Sequence, residues 1–272
     1  MMRFASEHWA IILGASSGMG LATAKKLAQH GMNICAVHRD RRAHAARIDA
    51  DFAEIRAYGV QCLPFNVDAL DAEVRKNVLD NLTGVLGAKG KVRTFLHSIA
   101  FGNLKPIAPA LVVDASKQEL LLDDEDMART IYSMGTNLLS WVQDLHRRKL
   151  FASDARVFGL TSEGNEVAWK GYAAVSAAKL AMESLARSIA CEFAVHGIRC
   201  NIVQPGVTDT PALRLIPGNE AMLTAALKRN PFKRLTRPED VANLLFLLST
   251  DEASWVNGAL IRVDGGEKIS GL

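Results

Sequence analysis

Long apolar runs are absent from the 272-residue sequence. No stretch reaches the roughly 18 residues that a membrane-spanning helix needs, and residues 1–7 lack the apolar segment of a signal peptide. The four cysteines, Cys35, Cys62, Cys191 and Cys200, show no paired spacing and lie in apolar segments. They predict buried, reduced thiols and no metal site. These absences favour a cytoplasmic protein with no membrane partner.

An excess of either charge is also missing, and so are linkers. The sequence has 32 Lys and Arg against 29 Asp and Glu, a net charge of +3. This balance argues against a nucleic-acid partner, which would favour a strongly basic chain. There is no Pro/Gly/Ser-rich linker and no internal repeat, and 49% of the residues are hydrophobic. A single domain over residues 1–272 is therefore expected, with enough apolar residues for a large core.

Short apolar strands alternate with helical stretches along the chain. Strands are predicted at 9–13, 33–37, 60–65, 92–96, 155–160, 198–203 and 260–263, and helices at 20–30, 40–58, 70–86, 124–150, 172–196 and from 238. Such alternation predicts right-handed βαβ units, and hence an α/β fold with a doubly wound parallel sheet of about seven strands (Rossmann-type). The irregular stretches 100–123 and 205–236 follow strand ends, where ligands bind in such sheets.

A glycine-rich turn joins the first strand to the first helix. Glycines let the backbone approach a pyrophosphate, and the helix that follows offers free N–H groups and a partial positive charge. The alternative is a tight turn without a ligand. Its position at the start of a βαβ chain favours a dinucleotide site made by Gly14, Ser16, Ser17, Gly18, Met19 and Gly20.

The residues after the second strand predict which dinucleotide is bound. They read His38-Arg39-Asp40-Arg41-Arg42. A planar guanidinium at Arg39 suits the 2′-phosphate of NADPH, so NADPH is favoured over NADH. Two alternatives stay open: Asp40 could bind the ribose hydroxyls, and the arginines could form a solvated helix face.

Five segments together resemble the short-chain dehydrogenase/reductase superfamily over nearly the whole chain. They are Gly14-x-x-x-Gly18-x-Gly20, Asn66-Val67, the helix with Tyr172 and Lys179, Pro205–Thr210 and Val263-Asp264-Gly265-Gly266. The resemblance implies that Asn66 and Val67 flank the adenine, and that Ser98, Ile99 and Ala100 line the cofactor groove. It also implies that Lys179 binds the nicotinamide ribose, while Thr210 and the backbone of Val207 contact the carboxamide.

Three departures from the usual superfamily pattern are similar to enoyl-[acyl-carrier-protein] reductases. Val175 occupies the position four before Lys179, and the nearest tyrosine is Tyr172, which gives Tyr-x6-Lys. The fourth strand ends in His97–Phe101 in place of Asn-Asn-Ala-Gly, and residues 131–135 lack the usual asparagine. The glycine turn is nearer the ordinary pattern, which implies the NADPH-preferring type.

Tyr172 and Lys179 are seven residues apart, so they project from one helix face about 10 Å apart along the axis. The resemblance implies NADPH-dependent reduction of the carbon–carbon double bond of a trans-2-enoyl thioester, with Tyr172 stabilising the developing oxyanion. Ser162 follows the fifth strand, where carbonyl-reducing members keep a serine; it is either an active-site hydroxyl or a strand-end cap. A carbonyl or 3-oxoacyl reductase and a non-catalytic NADPH-binding regulator are the alternatives.

The substrate and assembly are also expectations from the resemblance. Segment 205–236 contains apolar residues that either close over an acyl chain or pack in the core. A group of basic residues lies just after this apolar stretch and could dock an acyl carrier protein or form a solvated face; they are Lys228, Arg229, Lys233, Arg234 and Arg237. The superfamily also implies a homotetramer packed through the two long helices. One of these helices carries Leu138, Leu139 and Trp141, which either face a partner chain or pack in the core.

Overall fold

The structure, a computed structural model, describes residues 2–109 and 120–270. Its sheet has seven parallel strands in the order β3-β2-β1-β4-β5-β6-β7. The strands are β1 His8–Leu13, β2 Asn33–His38, β3 Cys62–Asn66, β4 Lys91–His97, β5 Phe151–Leu160, β6 Ile198–Pro205 and β7 Leu260–Val263. The chain turns back between β1 and β4, which creates the switch point where such sheets bind ligands. The predicted doubly wound Rossmann-type fold is confirmed.

Helices cover both faces of the sheet. They are α1 Gly18–Gln29, α2 Ala45–Ala57, α3 Ala72–Leu86, α4 Asp124–Ile131, α5 Asn137–Arg147, α6 Ala173–Glu192, α7 Asn219–Arg229 and α8 Pro238–Ser249. One core cluster joins the sheet to α3, α5 and α6, and a second joins it to α1, α2 and α8. Every residue of β2 is buried, which explains why its central residues 34–37 form a continuous apolar run rather than an alternating pattern.

The predicted helix 124–150 is interrupted. A π-helical turn, Tyr132–Thr136, separates α4 from α5. At this turn the chain comes very close to α6: a β-carbon at Gly135 would lie 2.6 Å from the Ala178 carbonyl oxygen. Because only glycine permits this approach, the π-helical turn packs tightly against the helix that carries Lys179.

Some side chains lie elsewhere than expected. Cys35 and Cys200 are buried, but Cys62 is partly exposed and Cys191 is exposed, so the prediction of four buried thiols is wrong for these two. Leu138 and Trp141, by contrast, are fully buried in the core, which was one of the two alternatives for them. Of the irregular stretch 100–123, residues 110–119 lie outside the described residues. Among the described helices, none combines the length and the apolar character that crossing a bilayer requires.

Candidate active site

The glycine-rich turn forms a cradle at the switch point. A β-carbon at Gly14 would lie 2.4 Å from the Ser98 carbonyl oxygen, and one at Gly20 would lie 2.2 Å from the Gly14 carbonyl oxygen. Ser17 precedes α1 in an extended conformation, and its side chain makes no capping bond with the described residues. The first N–H groups of α1 are therefore available to an anion, and the turn fits the pyrophosphate of a dinucleotide.

The remaining side of the turn faces Thr210. The Thr210 methyl group would lie 3.5 Å from a β-carbon at Gly18, so the start of segment 205–236 sits directly over the cradle. Ser16 is buried, and its carbonyl oxygen accepts a hydrogen bond from Arg47 at 2.9 Å. Met19 is partly buried against the core.

Arg39 and Asp40 occupy different surroundings at the end of β2. The Arg39 guanidinium is exposed, bonds to the Asp68 carboxylate at 2.6 Å and lies over the Phe101 ring. Burial raises the pKa of Asp40, but the Ser16 hydroxyl and His38 outweigh it and hold that pKa below its usual value. An ionised Asp40 thus sits beside the glycine-rich turn, while the exposed Arg39 is paired with Asp68.

Asn66 and Val67 brace this edge. The Asn66 amide accepts from the Asp40 N–H at 2.9 Å and donates to the Asp40 carbonyl at 3.1 Å. The Val67 N–H donates to the His38 carbonyl at 2.7 Å. These bonds fix the loop after β2, so the Asn66 side chain is occupied by the backbone in the structure.

The segment after β4 is held from two sides. The Ser98 N–H bonds to the Leu13 carbonyl at 3.0 Å, and the Ser133 hydroxyl of the π-helical turn donates to the Phe101 carbonyl. Ile99 packs against the core while Ala100 is exposed at the edge.

Ser162 and Tyr172 meet at the end of β5. Their hydroxyl oxygens lie 3.1 Å apart, within hydrogen-bonding distance. Tyr172 is the residue before α6, and its ring rests against Gly164. Burial raises the pKa of Tyr172, and the Ser162 hydroxyl opposes this rise. The phenol therefore keeps its proton at neutral pH and can donate it.

Lys179 is buried in α6 near the same strand end. Its ammonium donates to the Leu160 carbonyl at 2.8 Å, two residues before Ser162. Burial lowers the pKa of Lys179 to about 8, and Glu183 partly opposes this. The three predicted catalytic residues are thus gathered around the last residues of β5.

Val175 lies four residues before Lys179 and is 4% exposed. It packs in a small cluster with Met134 and Ala178, and the Tyr172 ring lies against this cluster. The position that holds a tyrosine in most superfamily members therefore supplies an apolar wall. Val175 has no proton to donate, so a donor at this site has to come from another residue, such as Tyr172 or Ser162.

Two buried polar residues near Lys179 were not predicted as site residues. Burial and the Lys179 charge lower the pKa of His97 to about 3, and the Asn137 amide opposes this, so His97 is neutral. Asn137 is fully buried at the start of α5, directly after the π-helical turn. Residues 131–135 contain no asparagine. The π-helical turn Tyr132–Thr136 shifts Asn137 relative to a regular α-helix, and positions counted at regular α-helical spacing do not include this shift.

The basic residues after segment 212–223 divide into two groups. Arg229 bonds to Glu163 and Glu267, and Arg234 bonds to Asp240, so neither is a free surface cation. The Lys228 side chain has no bond to the described residues in the structure, and Lys233 donates only to the Lys228 carbonyl, at 3.1 Å.

A glycine-rich turn at the switch point of a doubly wound sheet, with a lysine and a paired tyrosine beside it, defines a dinucleotide-dependent oxidoreductase. The family model described as Enoyl-(Acyl carrier protein) reductase matches residues 14–268. The chain therefore belongs to the short-chain dehydrogenase/reductase superfamily, in agreement with the sequence resemblance.

Similar proteins carry several activities. The cis-4-hydroxycyclohexanecarboxylate dehydrogenase of Sinomonas cyclohexanicum is 30% identical over 269 residues, which cover 96% of each chain. The (3R)-3-hydroxyacyl-CoA dehydrogenase of Canis lupus familiaris is 28% identical, covering 94% of this chain and 95% of that one. A short-chain dehydrogenase from Burkholderia cenocepacia, solved in complex with NADP, shares the fold with a TM-score of 0.79 and 24% identity, covering 96% of this chain and 98% of that one.

Proposed function

We propose that the protein is an NADP(H)-dependent oxidoreductase that interconverts a carbonyl group and a secondary alcohol. The observation that carries this proposal is the 3.1 Å contact between the Ser162 and Tyr172 hydroxyls. Two hydroxyl donors this close can both bind one carbonyl oxygen, which carries negative charge as the reaction proceeds.

Each residue has a distinct part in this reaction. A reduced nicotinamide cofactor held at the glycine-rich turn would supply the hydride for the carbonyl carbon. Tyr172 gives its proton to the carbonyl oxygen, and Ser162 holds that oxygen in place. Buried Lys179, anchored by the Leu160 carbonyl, provides a positive charge near the site. Each donor to a developing oxyanion is worth about 10²–10³ in rate.

The names of the relatives support the same reaction class. The Sinomonas and Canis proteins are named as dehydrogenases of hydroxylated substrates, and both align with this chain over nearly its full length. A cyclic or thioester-linked ketone is therefore the substrate class that we propose. The sequence pattern had favoured enoyl reduction, and the relatives support its alternative more strongly.

Enoyl thioester reduction remains the second candidate because of Val175. An apolar side chain at that position and the Tyr-x6-Lys spacing match the enoyl-reductase resemblance, and the matching family model carries that description. In that reaction Tyr172 would stabilise the thioester oxyanion without needing Ser162. An acyl carrier protein or coenzyme A thioester would then be the partner.

The two reactions are separated by a substrate panel with two variants. NADPH oxidation is followed at 340 nm with 4-oxocyclohexanecarboxylate, acetoacetyl-CoA and crotonyl-CoA. We expect turnover of a ketone, with Ser162→Ala and Tyr172→Phe each lowering kcat about 10²–10³-fold. Tyr58→Phe, a partly exposed tyrosine on the α2 side, is the matched control and should act like the wild type. Turnover of crotonyl-CoA alone, unaffected by Ser162→Ala, would establish the enoyl reaction instead.

We also propose NADPH over NADH, and a homotetramer. Arg39, exposed at the end of β2, supports the first because its bond to Asp68 can be exchanged for one to a 2′-phosphate. The Burkholderia structure is described with NADP. Sedimentation at micromolar concentration tests the assembly, and paired fluorescence titrations with the two reduced cofactors test the preference.

A further inference from the structure

Arg229, the last residue of α7, binds two carboxylates from distant parts of the chain. Its two terminal nitrogens donate to both oxygens of Glu163, at 3.1 and 2.6 Å, and one of them also donates to Glu267 at 2.7 Å. The fork-like pair with Glu163 fixes the relative orientation of the two side chains, unlike a single-point contact. Only about a quarter of the Arg229 side chain is exposed, so solvent screens these bonds weakly.

The first carboxylate stands directly beside the reactive hydroxyls. Glu163 follows Ser162 in the chain and begins the 3-10 turn Glu163–Asn165, whose middle residue Gly164 supports the Tyr172 ring. Glu163 is thus covalently continuous with the turn that supports the Tyr172 ring. Arg229 therefore bonds to the first residue of the turn against which the Tyr172 ring rests.

The second carboxylate stands on the cofactor side. Glu267 is 1% exposed, and its second oxygen accepts a hydrogen bond from the Val207 N–H at 3.3 Å. Gly206 permits this approach, because a β-carbon there would lie 2.9 Å from the same oxygen. Val207 is the residue that the family resemblance places at the nicotinamide carboxamide. Glu267 thus connects Arg229 to the loop on the other side of the site.

Neighbouring charges complete a balanced network. Lys268 approaches Glu163 at 3.6 Å and Glu166 at 3.0 Å, and Arg262 bonds to Glu166 at 3.2 Å. With Arg229 and Glu267, three cations face three carboxylates. Removing one member of this partly buried network leaves an opposite charge without its partner, and such an uncompensated charge destabilises the folded state.

We propose that Arg229 is a positioning residue that couples helix α7 to both halves of the reactive centre. From the end of α7, the same guanidinium holds the Ser162 turn through Glu163 and the Val207 loop through Glu267. This role rests on the proposed function, since the contact of Arg229 with Glu163 affects the reaction only if Ser162 takes part in it. The contact of Arg229 with Glu267, which bonds to the Val207 N–H, concerns cofactor binding and is independent of the substrate.

The test compares Arg229→Met and Arg229→Lys with Arg148→Met. Arg148 also bonds to a carboxylate, that of Asp80, and has nearly the same exposure, 27% against 25%, but lies far along the chain on the α3–α5 side. On a substrate that the wild type reduces, Arg229→Met should lower kcat about 10²-fold, the cost of roughly 1 Å of misplacement. Arg229→Lys should recover only part of the loss, because an ammonium cannot form the fork.

Two further readouts separate positioning from general destabilisation. In a Ser162→Ala background, Arg229→Met should lower kcat much less than in the wild type, since the group that it positions is gone. NADPH titrated without substrate should bind severalfold more weakly to Arg229→Met and to Glu267→Gln than to Arg148→Met. This binding test stands even if the proposed reaction is wrong, and Glu267→Gln keeps the test open if Arg229→Met does not fold.

The results that overturn the inference are specific. Equal kcat and equal NADPH affinity in Arg229→Met and Arg148→Met would remove the coupling altogether. If the losses of kcat from Arg229→Met and Ser162→Ala were fully additive in the double variant, Arg229 would not act on Ser162 through Glu163. Tighter NADPH binding in Glu267→Gln would mean that this carboxylate competes with the carboxamide for the Val207 N–H, contrary to the positioning role.

Discussion

Gly164 lies against the ring of Tyr172 so closely that a β-carbon at position 164 would come within 2.3 Å of the ring atom Cε1. The glycine is buried in the turn that follows Ser162. The phenol therefore reaches the Ser162 hydroxyl only because residue 164 has no side chain. This contact explains how a tyrosine outside the usual spacing is still held at the strand end.

Gly164→Ala should move the phenol away from Ser162 and lower kcat by about 10–10²-fold, since ångström-scale misplacement of a catalytic group has this cost. Gly84→Ala is the control: a β-carbon there meets nothing within 4 Å, and alanine in this last turn of α3 should stabilise the fold by at most roughly 0.5–1 kcal/mol. Steady-state kinetics and thermal unfolding of both variants check this. Unchanged kinetics in Gly164→Ala would show that the ring position is not set by this contact.

Cofactor choice should depend on the two side chains after β2. Arg39→Ala should weaken NADPH binding about tenfold or more while leaving NADH nearly unchanged, because charge-assisted bonds to a phosphate are lost only with NADPH. Asp40→Asn should favour NADPH further, since it removes a carboxylate whose pKa is held low beside the glycine-rich turn. Fluorescence titration at two salt concentrations measures both effects. A similar loss for both cofactors in Arg39→Ala would argue against a 2′-phosphate contact.

Much of the fold follows from local sequence pattern. The apolar run before Gly14 predicts a strand buried on both faces, and the glycine-rich turn predicts the start of a helix; both are present. These features depend on neighbouring residues alone, because periodicity and glycine conformations act within a few positions. The handedness of βαβ units then restricts the order of the strands but does not determine it.

The candidate site could not be fully predicted, because it is built from contacts between residues far apart in the sequence. The contacts of Arg229 with Glu163 and Glu267 join residues 66 and 38 positions apart in the chain. In the sequence Arg229 was one member of a basic run that could dock a partner. Charge alone does not distinguish a surface cation from one held by carboxylates that come together only in the folded chain.

Thiol chemistry offers a check on the burial of the core. Burial raises the pKa of the Cys35 and Cys200 thiols and raises that of Cys62 to about 11, whereas Cys191 is exposed. Because the thiolate is the reactive form, Cys191 should react quickly with a disulfide reagent at pH 8, partly exposed Cys62 much more slowly, and buried Cys35 and Cys200 only on unfolding. Mass spectrometry after brief labelling identifies the modified thiol, and Cys191→Ser should abolish the fast phase. Rapid modification of Cys35 would contradict the packing of β2.

Lys179 should make the stability of the protein increase with pH between about 8 and 10.5. Burial lowers its pKa in the folded state to about 8, whereas an unfolded chain keeps the ordinary value of 10.5. In this window the unfolded chain binds one more proton than the folded one, so raising the pH favours folding. The shift corresponds to about 3 kcal/mol, which is an upper value for the gain.

Denaturant unfolding at pH 7 and pH 10 measures this effect in the wild type and two variants. Lys179→Met should abolish catalysis. It should also reduce the difference in unfolding free energy between pH 7 and pH 10 by about 1–3 kcal/mol, because the variant has no ammonium to bury at pH 7. Lys89→Met, an exposed lysine before β4, should keep the wild-type dependence. If Lys179→Met also kept it, the ammonium would be hydrated in the folded protein, and its positive charge at the Leu160 carbonyl would cost little to bury.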